Sequence, residues 1–250
     1  MSVYEFGEEL LSSKDLDPVY VLLWEAGLPR PVLERWLIAY WAFYHVGTAS
    51  WITDQPDYWG AFRRAAESKE WPRSSERRHF RGENARKSTD YLVSRGLPGL
   101  YGDILGPRVG IGELMATVQR KWVGFGPWIA FKIGDMLERL GLREVSFDDG
   151  AMFLFDSPKE GAQLVYEMED CPEDVVGHLV DYFSYADAPP RYERKVNCQE
   201  VETTLCKFKS YMGGHYHLGE DIESCRRGLL RFSRSKTAQA LFSAGRKSLW

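Results

Sequence analysis

The chain has 250 residues, of which 44% are hydrophobic and 14% aromatic, and 32 basic and 36 acidic side chains give it a net charge of −4. This length fits one large domain or two small ones with a shared core, and the charge excludes a protein that coats nucleic acid through bulk positive charge. No run of apolar residues is long enough to cross a membrane. Because the amino terminus lacks the basic start and apolar stretch of a signal peptide, we expect a cytoplasmic protein.

Most of the chain is predicted to be helical, and strand signals are too sparse to build a sheet, so we predict an all-α fold. The pair Asp17-Pro18 is predicted to cap a first helix that stops near Gly27. Apolar residues at helical spacing predict one long helix from Pro31 to about Ile52. Further helices are predicted at 57–68, 83–95, 113–121, 129–140, 159–168, 173–185 and 197–211.

A clear break in the helical pattern lies at 188–190, Ala-Pro-Pro, and a carboxy-terminal helical segment follows from 191. There is no internal repeat and no low-complexity tract. We therefore predict that residues 1–187 and 188–250 form one continuous helical domain. Residues 145–155 are predicted to be a short strand or an extended loop.

The four cysteines form no C-x-x-C pair, and a chain of this length does not need disulfides, so we predict reduced thiols. A metal site would have to combine Cys198, Cys206 and Cys225 with His215 or His217. Those spacings match no zinc or iron–sulfur pattern, so we predict no metal ligands among them.

The most informative element is the segment 117–140, in which one helix ends in Gly-Phe-Gly and a second opens at Pro127. Glycine permits a tight turn, proline suits a first helical turn, and the exposed amides of the new helix can hold a phosphate. This pattern predicts a helix-hairpin-helix that binds the DNA backbone without reading sequence, although plain packing of two helices produces the same pattern. The predicted DNA-binding residues are Gly124, Gly126, Trp128 and Lys132.

An aspartate pair, Asp148 and Asp149, follows the second hairpin glycine by just over twenty residues. The hairpin and this spacing resemble the helix-hairpin-helix DNA glycosylase superfamily, in which an active-site aspartate follows the hairpin. The resemblance implies a glycosylase-like helical fold. The lyase branch of that superfamily carries a Schiff-base lysine where this chain has Trp128, so strand cleavage by that route is not expected.

A basic segment at 63–87 carries nine basic and four acidic side chains, and its part at 69–82 is predicted to be irregular. Arginine side chains bind phosphate oxygens through two parallel hydrogen bonds, so this segment suits a pyrophosphate or a DNA backbone. The alternative is a solvated charged loop. The predicted anion-binding residues are Arg73, Arg77, Arg78, His79 and Arg81.

Two further polar clusters are candidates for a site. His45 lies three residues before Thr48 in a predicted helix rich in aromatic residues, where polar groups either satisfy one another in the core or line a pocket. Near a Gly-Gly turn, Lys207, Lys209 and His215 are candidate substrate-binding residues. Because the two lysines are two residues apart, they do not share a helix face.

Four blocks of sequence resemble the phage alpha-glutamyl/putrescinyl thymine pyrophosphorylases, also called amino acid:DNA transferases. In order, the blocks are AFYHVGTAS at 42–50, WPRSSERRHFR at 71–81, GFGPWIAFK at 124–132 and CKFKSYMGGHY at 206–216. They spread over most of the chain.

The resemblance implies a transferase that takes part in thymine hypermodification. Its implied substrate is double-stranded phage DNA that carries 5-hydroxymethyluracil activated as a pyrophosphate ester. An amine then replaces pyrophosphate at the 5-methylene carbon. The implied donor is an amino acid such as glycine or a polyamine such as putrescine, and members of this family do not excise the base.

The residues suit these steps. A base inside a duplex has to be flipped out, and Trp128 or Trp51 can stack on it or fill the gap. The arginines at 73–81 can neutralise a departing pyrophosphate.

The proton of the amine needs an acceptor, for which we predict Asp148 or Asp149, with His45 or His79 as alternatives. Carboxylates can instead bind the ammonium group of the donor, or a Mg²⁺ ion on the pyrophosphate. Two other functions fit the sequence: a monofunctional DNA glycosylase in which Asp148 activates water, and a non-catalytic DNA-binding protein.

Overall fold

The computed structural model describes residues 1–147, 155–165, 172–191 and 193–250. The described residues form helices and a single pair of two-residue strands, which confirms the all-α prediction. The elements are α1 (Val3–Ser13), α2 (Pro18–Ala26), α3 (Arg30–Phe43), α4 (Val46–Asp54), α5 (Tyr58–Glu67), a 3₁₀ turn (Ser75–Arg77), α6 (Gly82–Ile104), β1 (Val109–Gly110), α7 (Ile111–Lys121), α8 (Pro127–Arg139), β2 (Val145–Ser146), α9 (Asp156–Gln163), α10 (Pro172–Phe183), α11 (Cys198–Met212), α12 (Glu220–Arg231) and α13 (Lys236–Ser248).

The strands β1 and β2 pair in parallel, with Val109 opposite Val145. They join the segment before α7 to the segment after α8. Among the described residues, no helix has the length and apolar composition needed to cross a bilayer.

The prediction of one long helix at 31–52 is wrong. The helix breaks between α3 and α4, where Tyr44 has a left-handed backbone with φ of 50°, which is uncommon for a residue other than glycine. His45 then caps α4, because its Nδ1 accepts the backbone N–H of Thr48 at 3.1 Å. The break escaped prediction because the aromatic spacing continues across it: the rings of Tyr40 and Tyr44 still lie 4.6 Å apart.

The described residues pack around two hydrophobic clusters. The larger is built from α2 to α8 together with α12 and α13. The smaller joins α1 to α9, α10 and α11. The two ends of the chain therefore pack against elements far from them in sequence, and the start of α11 at Cys198 contacts both clusters.

The turn between α7 and α8 has the two glycines that the sequence singled out, and they serve different purposes. Gly124 has φ of +80°, and a Cβ there would lie 3.1 Å from the Ser88 hydroxyl oxygen. Gly126 is the residue before α8 and has an extended backbone with φ of −78°. A Cβ on Gly126 would meet nothing within 4 Å. Only Gly124 is therefore required by the backbone conformation.

Candidate functional site

Two cavities adjoin beside the start of α8. The larger, of about 610 Å³, lies where α2, α3, α4, α11 and α12 meet. We call it the acid cleft. Its ionisable and aromatic lining consists of Asp17, Tyr20, Tyr40, Tyr44, His45, Glu76, Trp128, His215, Glu220, Asp221 and Cys225. Among the described residues, no lysine or arginine lines this cleft.

The smaller cavity, of about 380 Å³, lies between the 3₁₀ turn, the start of α6 and the glycine turn. We call it the arginine cavity. Its charged and polar lining includes Arg77, His79, Lys87 and Asn84, with Glu76 as the opposing charge. Both glycines of the turn also line it.

Trp128 and Glu76 line both cavities and so form a shared wall. The indole of Trp128 contacts the ring of Tyr44 edge to face, with centroids 4.9 Å apart. Tyr44 in turn lies against Tyr40, which stacks on Trp36 at 4.7 Å in the core. This row of rings supports one side of the Trp128 indole. Trp128 also lines both cavities.

Three carboxylates of the acid cleft, those of Asp17, Glu220 and Asp221, have partners. Asp17 pairs with Arg139 at 2.5 Å. It precedes α2, as predicted, but its side chain makes no capping hydrogen bond to that helix. Glu220 accepts the backbone N–H of His217 at 3.1 Å.

Asp221 pairs with Lys207 at 2.6 Å, and its side chain keeps 45% of its surface exposed. Desolvation by the surrounding walls raises the pKa of Asp221, against the opposing effect of the Lys207 charge. Asp221 is thus the cleft carboxylate that is both accessible and close to a positive charge.

His45 was predicted as a catalytic group, and the structure places it in the acid cleft as the cap of α4. Burial, with a smaller contribution from the nearby charge of Arg231, lowers the pKa of His45 to about 4. The imidazole is therefore neutral at neutral pH. Because Nδ1 accepts the Thr48 amide, the proton of the neutral ring is assigned to Nε2. This geometry argues against His45 as the proton acceptor.

The predicted anion-binding residues of the basic segment are held in different ways. Arg73 donates to the carbonyl oxygens of Ala65 at 3.0 Å and Ser68 at 2.8 Å, and also to that of Phe80. These bonds hold the irregular loop and occupy the guanidinium of Arg73, so its predicted binding of pyrophosphate stays a prediction that this geometry does not support. Arg77 is buried and lines the arginine cavity.

The other three residues of that set are exposed. His79 lines the arginine cavity, Arg78 donates to the Ser75 carbonyl oxygen at 3.2 Å, and Arg81 stands immediately before α6.

Lys207 and Lys209 were predicted as substrate-binding residues, and both are paired with carboxylates. Lys207 contacts Asp221 and also donates to the Asp15 carbonyl oxygen. Lys209 pairs with Glu160 at 2.5 Å on the surface. Neither lysine lines the acid cleft or the arginine cavity, so their predicted substrate binding stays a prediction. His215, the third member of the set, does line the acid cleft.

Lys132 is buried, so its predicted contact with DNA stays a prediction that this geometry does not support. Its side chain is 6% exposed and donates to Glu202 and to the hydroxyl of Thr203, each at 3.2 Å. Although burial opposes the charged form, Glu202 and Asp135 hold the pKa of Lys132 above its usual value. Lys132 therefore belongs to a buried ion network that joins α8 to α11.

Asp148 and Asp149 lie outside the described residues, so their predicted catalytic role stays a prediction. In the described part of the chain, no group of three or more His, Cys, Asp or Glu side chains is placed to hold a metal ion. The described cysteines Cys198, Cys206 and Cys225 are free thiols, as predicted.

Sequence reasoning missed most of the acid cleft. Asp221 and Glu220 come from α12, which was not predicted. The i, i+4 spacing of Tyr40 and Tyr44 indicated a common face but not that the face lines a cavity. Asp17 and Arg139 are far apart in the sequence, so their ion pair has no local sequence pattern that would predict it.

Comparisons with known proteins identify the family of the chain. The family model described as amino acid:DNA transferase matches residues 112–217. A glycinyltransferase of Pseudomonas phage PaMx11 is 38% identical, in an alignment that covers 98% of this chain and 96% of that protein. A putrescinyltransferase of Delftia phage PhiW-14 is 25% identical, with 92% of this chain and 79% of that protein covered. The chain therefore belongs to the amino acid:DNA transferase family and is an enzyme, a transferase that acts on DNA.

Proposed function

We propose that the enzyme joins a primary amine to a modified thymine in double-stranded phage DNA, in the cytoplasm of the infected cell. The acceptor is 5-hydroxymethyluracil activated as its pyrophosphate ester. The amine nitrogen attacks the 5-methylene carbon, and the C–O bond breaks with its electron pair on pyrophosphate. An ammonium has no free electron pair, so the nitrogen loses one proton before the attack and a second one after the C–N bond forms; Asp148 or Asp149 is the proposed acceptor, from which protons pass to solvent.

The observation that carries this proposal is the opposite charge of two cavities that share a wall. An amine donor is a cation in solution and suits the acid cleft, where carboxylates line the walls. A phosphate group is an anion and suits the arginine cavity. Bond formation between the two substrates then takes place near Trp128.

Two details support binding of the donor in the acid cleft. The hydroxyl oxygen of Ser74, which lines the cleft, is buried and has no hydrogen-bond partner among the described residues. A buried polar atom without a partner is costly, and a polar ligand would satisfy it. The accessible carboxylate of Asp221 lies in the same cleft.

The flipped base is proposed to stack on Trp128, with Tyr44 behind it. Base–aromatic stacking contributes about 1–3 kcal/mol and does not depend on the identity of the base. Selection of the modified thymine then depends on its pyrophosphate.

The test uses duplex DNA that carries pyrophosphorylated 5-hydroxymethyluracil, incubated with the enzyme and one amine at a time. Glycine is tried first, because the relative with 38% identity is named a glycinyltransferase, and putrescine second. Mass spectrometry of the digested nucleosides is expected to show amine-linked thymidine, with one pyrophosphate released for each amine joined. DNA with unphosphorylated 5-hydroxymethyluracil is the control and is expected to give no product.

If no donor yields an amine-linked nucleoside, the proposal is wrong. Free base with abasic sites would instead establish the glycosylase alternative. Tight DNA binding without any chemistry would establish the non-catalytic one.

A further inference from the structure

Arg77 is a buried cation that has no anionic partner in the part of the chain that the structure describes. It is 7% exposed. Its Nε donates to the Ala42 carbonyl oxygen at 3.0 Å and its Nη1 to the Gly124 carbonyl oxygen at 3.3 Å. Its Nη2 is buried and has no hydrogen-bond partner among the described residues. The guanidinium also lies beside two aromatic rings, Phe80 at 5.1 Å and Phe125 at 4.9 Å.

This arrangement is energetically unfavourable without a ligand. A buried charge is normally paired, since removal from water costs several kcal/mol for each ion. Burial lowers the pKa of Arg77 to about 10, so the group still carries its charge at neutral pH. Aromatic faces stabilise a guanidinium only in part. The unpaired Nη2 is therefore a hydrogen-bond donor suited to an anion.

The cavity that Arg77 lines supplies two further positive contributions. The helix α8 is 13 residues long and has no side-chain cap. Its first helical hydrogen bond is donated by Ala130 to Gly126 at 3.0 Å, so the amides of Trp128 and Ile129 precede it and have no helical acceptor. Such amides bind anions. Lys87 also lines the cavity, and its ammonium is held only loosely, 3.7 Å from Glu83.

We infer that the arginine cavity is a binding site for a phosphate group, with the Nη2 of Arg77 and the first-turn amides of α8 as its donors. Two sources offer this chemistry: the DNA backbone, and the pyrophosphate of the activated base. The second source rests on the proposed function, and the first does not. Because Arg77 also bonds to the last turn of α3 and to the glycine turn, an anion on Nη2 would tie these two segments together.

The experiment measures binding without turnover, on the full chain. Calorimetry with inorganic pyrophosphate forms one arm, and binding of an unmodified DNA duplex at fixed salt forms the other. The variants are Arg77→Lys, which keeps the charge and loses Nη2, and Arg77→Gln. Arg234→Lys is the matched control, because it makes the same substitution at an exposed arginine between α12 and α13, outside both cavities and outside the basic segment.

We expect wild type to bind and Arg77→Lys to bind about tenfold more weakly, the effect of losing one hydrogen bond to a charged group. Arg234→Lys should match wild type. A loss confined to pyrophosphate assigns the site to the leaving group, and a loss confined to the duplex assigns it to the DNA backbone. Equal binding by wild type and Arg77→Lys in both arms overturns the inference.

Arg77→Gln can fail to fold, so the thermal stability of wild type gives a second readout. A ligand that binds only the folded state raises the unfolding temperature. We expect pyrophosphate or the duplex to do so for wild type, and no rise with either one contradicts the inference. A wild type that shows this rise but transfers no amine would refute the proposed function and leave the anion site standing.

Discussion

The acid cleft and the arginine cavity share Trp128 and differ in how their charges are held. In the cleft, Asp17 and Asp221 each have a cation of the same chain within 2.6 Å. In the cavity, Arg77 has no anion among the described residues. The charges of Asp17 and Asp221 are therefore balanced within the chain, and that of Arg77 is not. We accordingly expect ligands of the arginine cavity to change stability more than ligands of the acid cleft.

A substitution of Trp128, in the wall that the two cavities share, is expected to change activity most. Replacement of Trp128 by alanine removes the ring on which the base is proposed to stack, which is worth about 2 kcal/mol. We expect kcat/KM for the modified DNA to fall roughly 30-fold, while KM for the amine stays unchanged. Steady-state kinetics with each substrate varied in turn measures both quantities.

Trp24→Ala is the control for Trp128→Ala, because Trp24 is an exposed tryptophan of α2 with 44% of its surface accessible. It should behave as wild type. If the two variants lose activity equally, Trp128 has no special role between the cavities.

His45 tests whether the wall of the acid cleft contains a buried, neutral imidazole. Its folded pKa of about 4 lies below the usual 6.5, so the unfolded chain binds a proton that the folded chain does not over this interval. The stabilising effect is complete above pH 6.5 and is lost as pH falls towards 4. The loss at about pH 5 is on the order of 2 kcal/mol.

The measurement for His45 is urea unfolding at about pH 7 and about pH 5, for wild type and His45→Asn. Asparagine keeps a capping side chain and does not titrate. The variant should therefore lose less stability on acidification, and it should retain most of the transferase activity. Identical losses in both proteins would show that His45 is not buried in its neutral form.

Asp221 tests the proposed donor site. Replacement of Asp221 by asparagine removes the accessible charge of the cleft, and we expect KM for the amine to rise about tenfold. Affinity for DNA should not change. Glu223→Gln is the control, since Glu223 is on the same helix and pairs with Arg227 on the surface at 3.8 Å. An unchanged KM in Asp221→Asn would remove the donor from this part of the cleft.

The two glycines at the rim of the arginine cavity give the smallest expected effect. Gly124→Ala should lower the free energy of unfolding by about 1 kcal/mol, because alanine is strained at positive φ. Gly126→Ala should leave it unchanged, since its φ is −78° and nothing lies near the added methyl group. Chemical denaturation compares the two. Equal losses would contradict the separate purposes that we assign to these glycines.

Local patterns predicted the elements that depend on local physics. The helix α5 with its Asp57 cap, and α7 and α8 around the glycine turn, lie within a few residues of their predicted bounds. Caps, glycine and proline act within one or two turns. The fold class follows from the same signals.

The side-chain roles could not be predicted in the same way. Lys132 stands in the block beside the glycine turn, yet its partner Glu202 is on α11. Arg73 and Arg77 are four residues apart in one basic segment. Arg73 donates to carbonyl oxygens of its own loop, whereas the Nη2 of Arg77 has no partner among the described residues. These differences depend on which distant segment packs against each side chain, and a single sequence does not encode that in its spacing.

The central claim is that each substrate has its own cavity. The most direct test measures amine KM and phosphate affinity side by side in Asp221→Asn and Arg77→Lys. We predict that Asp221→Asn raises only the amine KM, and that Arg77→Lys weakens only the binding of pyrophosphate or DNA. If both variants change the same quantity, the two cavities do not divide the substrates between them.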